Sequence, residues 1–362
     1  RFALKQSQAF VDQMEGFAME LEDELMNFSD VSYKSFVKSE SEIITLFYDK
    51  FADIPLLSRM DAVAETFIDE IETLLNRDLP EEERIPLIEK FQKMYETMDF
   101  YVLYNRFLKK EGYQTLPRRP LEKRKLRYED VYPVLYLKYR LSQQAERSNI
   151  KHLVIDEMQD YSRLQYLIIR RMFSCKMTIL GDRAQTMADQ QQDVLQFLPG
   201  IFGKDLRRIE MRKSYRNTVE IASYAANLIG VTDLELFERH GMPVLERDVT
   251  DLEAALREAV DTLFPEEKTY ETTAVIVPDE KTAERAYLIL REILAEKDFD
   301  CEKRLSWLNR DSSSFKKGLT VTTFYLAKGL EFDQVFSIFP KDEKREMMMQ
   351  AQYIAAPRAL HE

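Results

Sequence analysis

After about residue 150 the sequence alternates short apolar runs with helical segments, and this alternation limits the possible folds more than any other feature. The runs that we predict to be strands are residues 152–155, 176–180, 207–211, 272–277, 319–323 and 335–338. Helices are predicted between them at residues 164–173, 218–228, 252–263 and 281–296. Short apolar strands that alternate with helices form a mainly parallel sheet covered on both faces. The sequence therefore predicts an α/β fold.

The first part of the chain has the periodicity of helices instead. One helix face is formed by apolar residues at steps of three and four, namely Phe10, Met14, Phe17, Leu21, Leu25 and Phe28. A second helix is predicted after Ser58 as its N-cap, and a third from about residue 84 to 110, ended by Gly112. We therefore predict an all-helical insertion over residues 1–125. An α/β domain would occupy 126–204, and a second one 205–362.

Net charge and one basic segment bear on possible partners. The chain has 64 acidic and 52 basic residues, a net charge of -12, which argues against tight non-specific binding to nucleic acid. Residues 117–127 are the exception, because they hold Arg118, Arg119, Lys123, Arg124, Lys125 and Arg127. Two readings stay open for this segment: a solvated basic loop, or a contact with nucleic acid or protein.

The composition also restricts the cellular compartment. No apolar run approaches the roughly 20 residues of a membrane span, so we expect no membrane contact. The two cysteines, Cys175 and Cys301, cannot form a disulfide framework or a four-cysteine zinc site. We therefore expect a protein of the reducing cytoplasm.

Two carboxylates follow the first predicted strand. Asp156 and Glu157 come directly after Leu153, Val154 and Ile155. A carboxylate at the C-terminal end of a strand can hold Mg²⁺ beside the phosphates of a nucleotide. The next carboxylate can orient and deprotonate an attacking water. Taken alone, the pair is weak evidence, because most such dipeptides are ordinary surface acids or helix caps.

The residues that continue this motif resemble the UvrD/Rep branch of superfamily 1 helicases. Residues 156–160 read DEMQD, and residues 181–185 read GDRAQ. In that family the first is the Walker B motif, which implies that Asp156 binds the Mg²⁺ of MgATP and that Glu157 is catalytic. The second is the GDxxQ motif, which implies that Gln185 senses the γ-phosphate and that Asp182 holds the segment in place.

Two further segments resemble arginine motifs of the same family. Residues 213–218, KSYRNT, are similar to the NYRS-type motif, which implies that Arg216 reaches the γ-phosphate and that Tyr215 lies at the nucleotide. For Tyr215, packing and base stacking are both open. Residues 353–359, YIAAPRA, are similar to the YVAxTRA motif, which makes Arg358 the second arginine finger. Planar, permanently charged guanidinium groups suit the charge that develops in phosphoryl transfer.

A third segment, residues 322–333, is close to the family's AKGLEFD motif. The resemblance implies that Gly329 and Glu331 contact the nucleotide, whereas Thr322, Thr323 and Lys328 face the nucleic acid.

The resemblance as a whole implies two RecA-like domains, the first of them incomplete. It also implies ATP and Mg²⁺ as cofactors and DNA, single-stranded or at a duplex junction, as the substrate. The details are most similar to the helicase IV-like, HelD-type group, which adds RNA polymerase as a partner and a helical insertion in the first domain. The segments that carry this finer resemblance are residues 126–130, 160–162, 213–218, 325–333 and 358–362.

Two departures from the family pattern matter. The sequence contains no GxxxxGK[ST] and no upstream adenine-reading glutamine, so we expect a fragment that neither hydrolyses ATP nor unwinds DNA. Pro357 stands where the family usually has threonine, which puts the placement of Arg358 in question because proline lacks a backbone donor. The alternatives to a HelD-like motor are a UvrD/Rep-type DNA-repair helicase and a non-catalytic factor that binds RNA polymerase.

Overall fold

The computed structural model describes residues 2–143, 149–182, 185, 194–231, 234–263, 270–297, 299–312, 317–340 and 345–362. The chain divides into two compact units. Unit 1 comprises Arg1–Gly181 and Gln192–Leu206, and unit 2 comprises Asp182–Gln191 and Arg207–Glu362. None of the helices within these described ranges is long and apolar enough to cross a membrane.

Most of unit 1 is helical. Its helices before the first α/β element are α1 (Phe2–Gln6), α2 (Gln8–Glu24), α3 (Glu40–Thr45), α4 (Arg59–Leu75), α5 (Glu81–Gln92), α6 (Phe100–Lys110) and α7 (Tyr128–Leu141). The predicted apolar face of α2 is confirmed, since Phe10, Met14 and Leu21 are buried in the core. Helix α4 does begin after Ser58, but the Ser58 hydroxyl does not cap it. Ser58 Oγ instead accepts a hydrogen bond of 2.9 Å from the Gln143 backbone N–H.

The prediction that residues 1–125 are all-helical is wrong in one respect. Strands β1 (Val31–Tyr33) and β2 (Phe36–Lys38) form an antiparallel hairpin, turned at Lys34 with a φ of 54°. Each strand has three residues, which is shorter than the runs from which a period-two pattern can be recognised.

The helix predicted from about residue 84 to 110 is two helices, α5 and α6. Between them the backbone pairs with the chain that follows α2: Asn27 N–H donates to Met94 O at 2.8 Å, and Glu96 N–H donates to Leu25 O at 2.9 Å. These long-range bonds replace the intrahelical ones, and Asp99 then starts α6 by capping the Tyr101 N–H. Helix α6 ends before Gly112, which has the expected positive φ of 73°.

The helical core continues past residue 125. Asp130, near the start of α7, is buried and accepts hydrogen bonds from Lys5 Nζ and, at 2.8 Å, from Tyr104 Oη. Tyr136 and Leu137 of the same helix are also buried in this core. No division between compact units falls at residue 125. The limits of the predicted domains stay predictions.

The remainder of unit 1 is a parallel strand pair with helices. Strands β3 (His152–Ile155) and β4 (Lys176–Ile179) pair in parallel, joined through α8 (Arg163–Met172), and α9 (Val194–Phe202) packs on α8. Tyr166, Val194 and Phe197 form the small core beneath Ile155. The predicted strands 152–155 and 176–180 and the helix 164–173 are confirmed to within one residue.

Unit 2 is built on a four-stranded parallel sheet. Its strands are β7 (Thr272–Val277), β8 (Leu305–Trp307), β9 (Gly318–Thr323) and β10 (Gln334–Ser337), in the order β10-β7-β9-β8. The helices are α10 (Val219–Leu228), α11 (Leu252–Leu263), α12 (Glu280–Ala295), α13 (Cys301–Arg304) and α14 (Arg345–Ala355). A short parallel pair, β5 (Lys213–Ser214) and β6 (Glu235–Leu236), stands apart from this sheet. The mixed α/β class with parallel sheets is confirmed.

The strand predicted at residues 207–211 is wrong. These residues form no strand, and Ile209 and Met211 are exposed. Their alternation of polar and apolar side chains suits a strand, but a strand forms only where a neighbour accepts and donates its backbone hydrogen bonds. In this segment the pairing begins two residues later, at β5.

Candidate functional site

In unit 1 the two predicted catalytic carboxylates follow the end of β3. Asp156 is exposed, whereas Glu157 is half-buried with a left-handed φ of 53°. Asp156 Oδ1 accepts a hydrogen bond of 2.8 Å from the Glu157 backbone N–H, and Glu157 Oε2 accepts one of 2.6 Å from Gln159 Nε2. A left-handed backbone conformation is uncommon outside glycine.

The turn that carries these carboxylates is fixed to its surroundings by hydrogen bonds. The Met158 N–H donates to Leu180 O at 2.8 Å, and Tyr166 Oη donates to Met158 O at 3.1 Å. Ser162 and Gln165 close a capping box at the start of α8. The carboxylates therefore lie on a rigid turn at the C-terminal ends of two parallel strands.

Asp156 suits the chemistry of Mg²⁺, which is usually held by one or two carboxylates together with phosphate oxygens and water. Within the described ranges, no group of three or more His, Cys, Asp or Glu side chains could hold a metal ion by itself. A cation at Asp156 would accordingly need oxygens from a bound phosphate to complete its coordination.

Gly181, the first residue of GDxxQ, allows the end of β4 to approach this turn closely. A Cβ atom at Gly181 would stand 2.6 Å from the Met158 backbone nitrogen and 2.5 Å from Met158 Cγ. Any larger residue must push the two segments apart and strain the bond between Met158 and Leu180. The glycine thus allows close packing, within unit 1, between the chain after β4 and the turn that carries Asp156 and Glu157.

We expect Gly181→Ala to destabilise unit 1 by about 1–3 kcal/mol, the usual cost of forcing extra atoms into a packed site. The measurement is the midpoint of urea unfolding followed by circular dichroism. Gly16→Ala is the matched control: Gly16 lies inside α2 with no atom within 4 Å of its Cβ position, so alanine there is expected to stabilise by about 0.5–1 kcal/mol. Equal midpoints for the two variants would contradict the close approach.

In unit 2 four side chains form one hydrogen-bonded network. Asp182 Oδ2 accepts from Tyr353 Oη at 2.7 Å and from Gln185 Nε2 at 3.1 Å. Gln185 Oε1 accepts from an Arg358 guanidinium nitrogen at 3.2 Å. Arg358 is 3% exposed, and its Nε donates to Ile354 O at 3.1 Å. The network links the predicted sensor residues to the predicted second arginine finger.

Tyr353 keeps its proton in this network. Burial, together with the neighbouring Asp182 carboxylate, holds the pKa of the Tyr353 hydroxyl well above its usual range. The phenol is therefore a constant donor to Asp182. The sequence places Tyr353 in a motif but does not indicate its role, because nothing local points to a partner 171 residues away.

Arg216 and Glu331 form an ion pair in unit 2. One Arg216 guanidinium nitrogen lies 2.8 Å from Glu331 Oε1 and also donates to Leu330 O at 3.2 Å. The side chains are 36% and 51% exposed. Arg216 Nε is buried and has no hydrogen-bond partner among the described atoms. The guanidinium group is partly exposed, so another anion can approach it.

The local backbone geometry accommodates Pro357 next to Arg358. Pro357 lies at the start of a 3₁₀ turn, Ala356–Arg358, where no backbone donor is required. Its carbonyl accepts from Asn217 Nδ2 at 3.0 Å, and the Ala359 carbonyl accepts from the same group at 2.6 Å. Asn217, to which sequence reasoning gave no role, thereby joins the segment after Arg216 to the one around Arg358.

The remaining predicted residues differ in accessibility. Tyr215 is 61% exposed; its ring centroid lies 5.8 Å from that of Phe237 and 5.4 Å from Lys213 Nζ, so both neighbours pack against the ring. Gly329 has a φ of 83° and is exposed, and Lys328 is half-buried. Thr322 and Thr323 are fully buried, and the Thr322 hydroxyl donates to Leu308 O. In this conformation neither threonine side chain can touch a nucleic-acid strand.

Each unit therefore gathers its own share of the predicted residues. Unit 1 has Asp156 and Glu157 on one turn. Unit 2 has two clusters: the network of Asp182, Gln185, Tyr353 and Arg358, and the Arg216–Glu331 pair. The two clusters are joined through Asn217 and through the backbone bond from the Phe332 N–H to Arg358 O, at 2.8 Å.

A parallel α/β framework, carboxylates after a strand and clustered arginines are typical of nucleotide-driven motor proteins. Comparison with family models gives the assignment within that class. The model for the UvrD/REP helicase N-terminal domain matches residues 6–187, half of the chain. The chain belongs to the UvrD/Rep helicase family. A search of curated proteins finds no match.

Proposed function

We propose that this chain is part of an ATP-dependent helicase or translocase motor that acts on DNA. The observation that carries the proposal is the network in which Gln185 Oε1 accepts a hydrogen bond from Arg358 while Asp182 accepts from Tyr353 and Gln185. Two motifs far apart in sequence thereby share one set of hydrogen bonds. A conformational change at one motif can therefore alter the other, and a motor requires such coupling.

The carboxylates of unit 1 have separate roles in this proposal. Bound MgATP would supply the phosphoryl group and the cation. Asp156, which is exposed at the strand end, would ligate Mg²⁺. Glu157, oriented by Gln159, would take a proton from the attacking water.

The residues of unit 2 would stabilise negative charge. Arg216 would exchange its exposed partner Glu331 for a phosphate oxygen, and Gly329 and Tyr215 would lie beside the nucleotide. Arg358 is buried and donates to Ile354 and Gln185, so its action as a second finger requires the network to rearrange. We further propose a helical insertion over residues 1–125 and two RecA-like domains, an incomplete one over 126–204 and a second over 205–362.

Among helicases of this family we favour the HelD-like group, with RNA polymerase–nucleic acid complexes as the target. The support is the resemblance of residues 126–130, 160–162 and 325–333 to that group, together with a large helical part in unit 1. The test is a pull-down of RNA polymerase with the chain, with and without residues 1–125. Equal recovery of polymerase in both arms would exclude a role for the helical part.

This 362-residue chain is itself expected to show no ATPase activity, because no GxxxxGK[ST] is present to cradle the phosphates. The measurement is phosphate release from MgATP with and without single-stranded DNA. The gene upstream of the Arg1 codon should then be sequenced and the longer product assayed. A P-loop there, with ATPase that nucleic acid stimulates, would support the motor; activity of the 362 residues alone would refute the requirement.

The second candidate is a non-catalytic factor that binds RNA polymerase. It predicts an upstream sequence without a P-loop and polymerase binding that does not respond to ATP. The same sequencing and pull-down experiments separate the two.

A further inference from the structure

The basic loop, residues 117–127, lies in unit 1, and all but its last two residues fall outside the motifs used above. It joins α6 to α7 and presents five exposed cations, Arg118, Arg119, Lys123, Lys125 and Arg127. In a chain with a net charge of -12, it contains one carboxylate, Glu122. Among the residues that the structure describes, Arg124 forms an ion pair with Asp99, whereas the five exposed cations of the loop form no ion pair.

The loop is held rigidly on the helical core. Tyr101 Oη donates to Pro117 O at 2.7 Å, and the Leu116 N–H donates to Asn105 Oδ1 at 2.7 Å. Arg124 pairs with Asp99 and lies 4.7 Å from the centre of the Tyr101 ring. Its Nε also donates to Arg119 O at 3.0 Å. A loop fixed in this way presents its charges without a large loss of conformational entropy on binding.

The second half of the loop exposes three cations at alternate positions. Lys123 ends the 3₁₀ turn Leu121–Lys123, and Arg124 and Arg127 have extended backbone angles, with ψ values of 129° and 156°. Lys123, Lys125 and Arg127 are exposed, whereas Arg124 and Leu126 are half-buried. The exposed positions of residues 123–127 therefore carry three cations and no carboxylate.

We propose that the basic loop binds the phosphate backbone of duplex DNA through Lys123, Lys125 and Arg127. This contact would be separate from the residues of unit 2 that are predicted to face the nucleic acid. The inference rests on the proposed function, because it takes DNA as the substrate. An acidic protein surface is the competing partner, and the test below includes it as an outcome.

The test is the binding of the 362-residue chain to a short fluorescent duplex, measured by anisotropy from about 50 to about 200 mM salt. The variant is Lys123→Gln/Lys125→Gln/Arg127→Gln. Each lost phosphate contact reduces the slope of log K against log salt by about 0.9, so three reduce it by about 2.7. Over a fourfold salt range that difference amounts to about 40-fold in affinity.

The matched control is Lys50→Gln/Lys93→Gln/Lys109→Gln, which removes the same charge from exposed positions of the same unit. We expect it to leave the slope unchanged. Equal losses in both variants would overturn the inference, since net charge alone would then explain them. A loss confined to single-stranded DNA would overturn the assignment to duplex.

Two further arms separate the remaining outcomes. If poly-glutamate binds through the loop and duplex DNA does not, the inference is overturned in favour of an acidic protein partner. A chain that binds no DNA of either kind would count against the proposed function itself. DNA binding that is intact and equal in wild type and loop variant would overturn the loop inference alone.

Discussion

Replacing Arg216 by alanine, in a chain that joins this sequence to a P-loop, is expected to lower kcat for ATP hydrolysis by about 10³- to 10⁵-fold, the range in which arginine fingers act. The reason lies in how Arg216 is held. Its ion pair with Glu331 is partly exposed, and such pairs contribute only about 0.2–1 kcal/mol. A phosphate oxygen can therefore displace Glu331 at small cost, and the charge is then available to the transition state.

Two comparisons make the Arg216 result specific. Arg216→Lys keeps the charge but loses the planar set of donors, and we expect its kcat to fall between wild type and Arg216→Ala. Arg208→Ala removes an exposed arginine that pairs with Glu210, and should leave kcat unchanged. The measurement is steady-state phosphate release with saturating DNA. If kcat for Arg216→Ala equals that of Arg208→Ala, Arg216 does not take part in hydrolysis.

Glu157→Gln in the same P-loop-bearing chain is expected to lower kcat by about 10²- to 10⁴-fold, the usual contribution of a general base. Glutamine preserves the size of the side chain, and its carbonyl oxygen can still accept the hydrogen bond from Gln159. The turn should therefore keep its conformation, and nucleotide affinity should not change. What is lost is the ability to take up a proton.

The measurement for Glu157 separates binding from chemistry. Affinity for MgATP is followed by a fluorescent analogue, and hydrolysis by single-turnover kinetics. Glu89→Gln, at an exposed position of α5, is the control and should behave as wild type. Weaker MgATP binding with an unchanged rate of hydrolysis would show that Glu157 holds the cofactor and is not the base.

The family match includes the helical part of the chain. It begins at residue 6 and so includes α2 to α7 within the UvrD/REP helicase N-terminal domain. The packing agrees, because the buried Asp130 of α7 binds Lys5 of α1 and Tyr104 of α6. Helices and α/β elements are consequently parts of one compact unit, whichever partner the helices contact.

The sequence was sufficient for features that depend on neighbouring residues. Strands at residues 152–155 and 272–277 and the helix at 252–263 appear with the predicted limits. Each rests on an apolar run or periodicity that is complete within a few residues. The motif residues were also identified locally, since DEMQD, GDRAQ and KSYRNT are short continuous strings.

Only the tertiary structure decided the features that depend on distant pairing. It split the helix predicted over 84–110, because Met94 and Glu96 pair with the chain after α2. It also supplied Tyr353 as the partner of Asp182, and Asn217 as the clamp on Pro357 and Ala359. Hydrogen bonds of this kind join residues more than sixty positions apart, so no local pattern of polarity can encode which groups will meet.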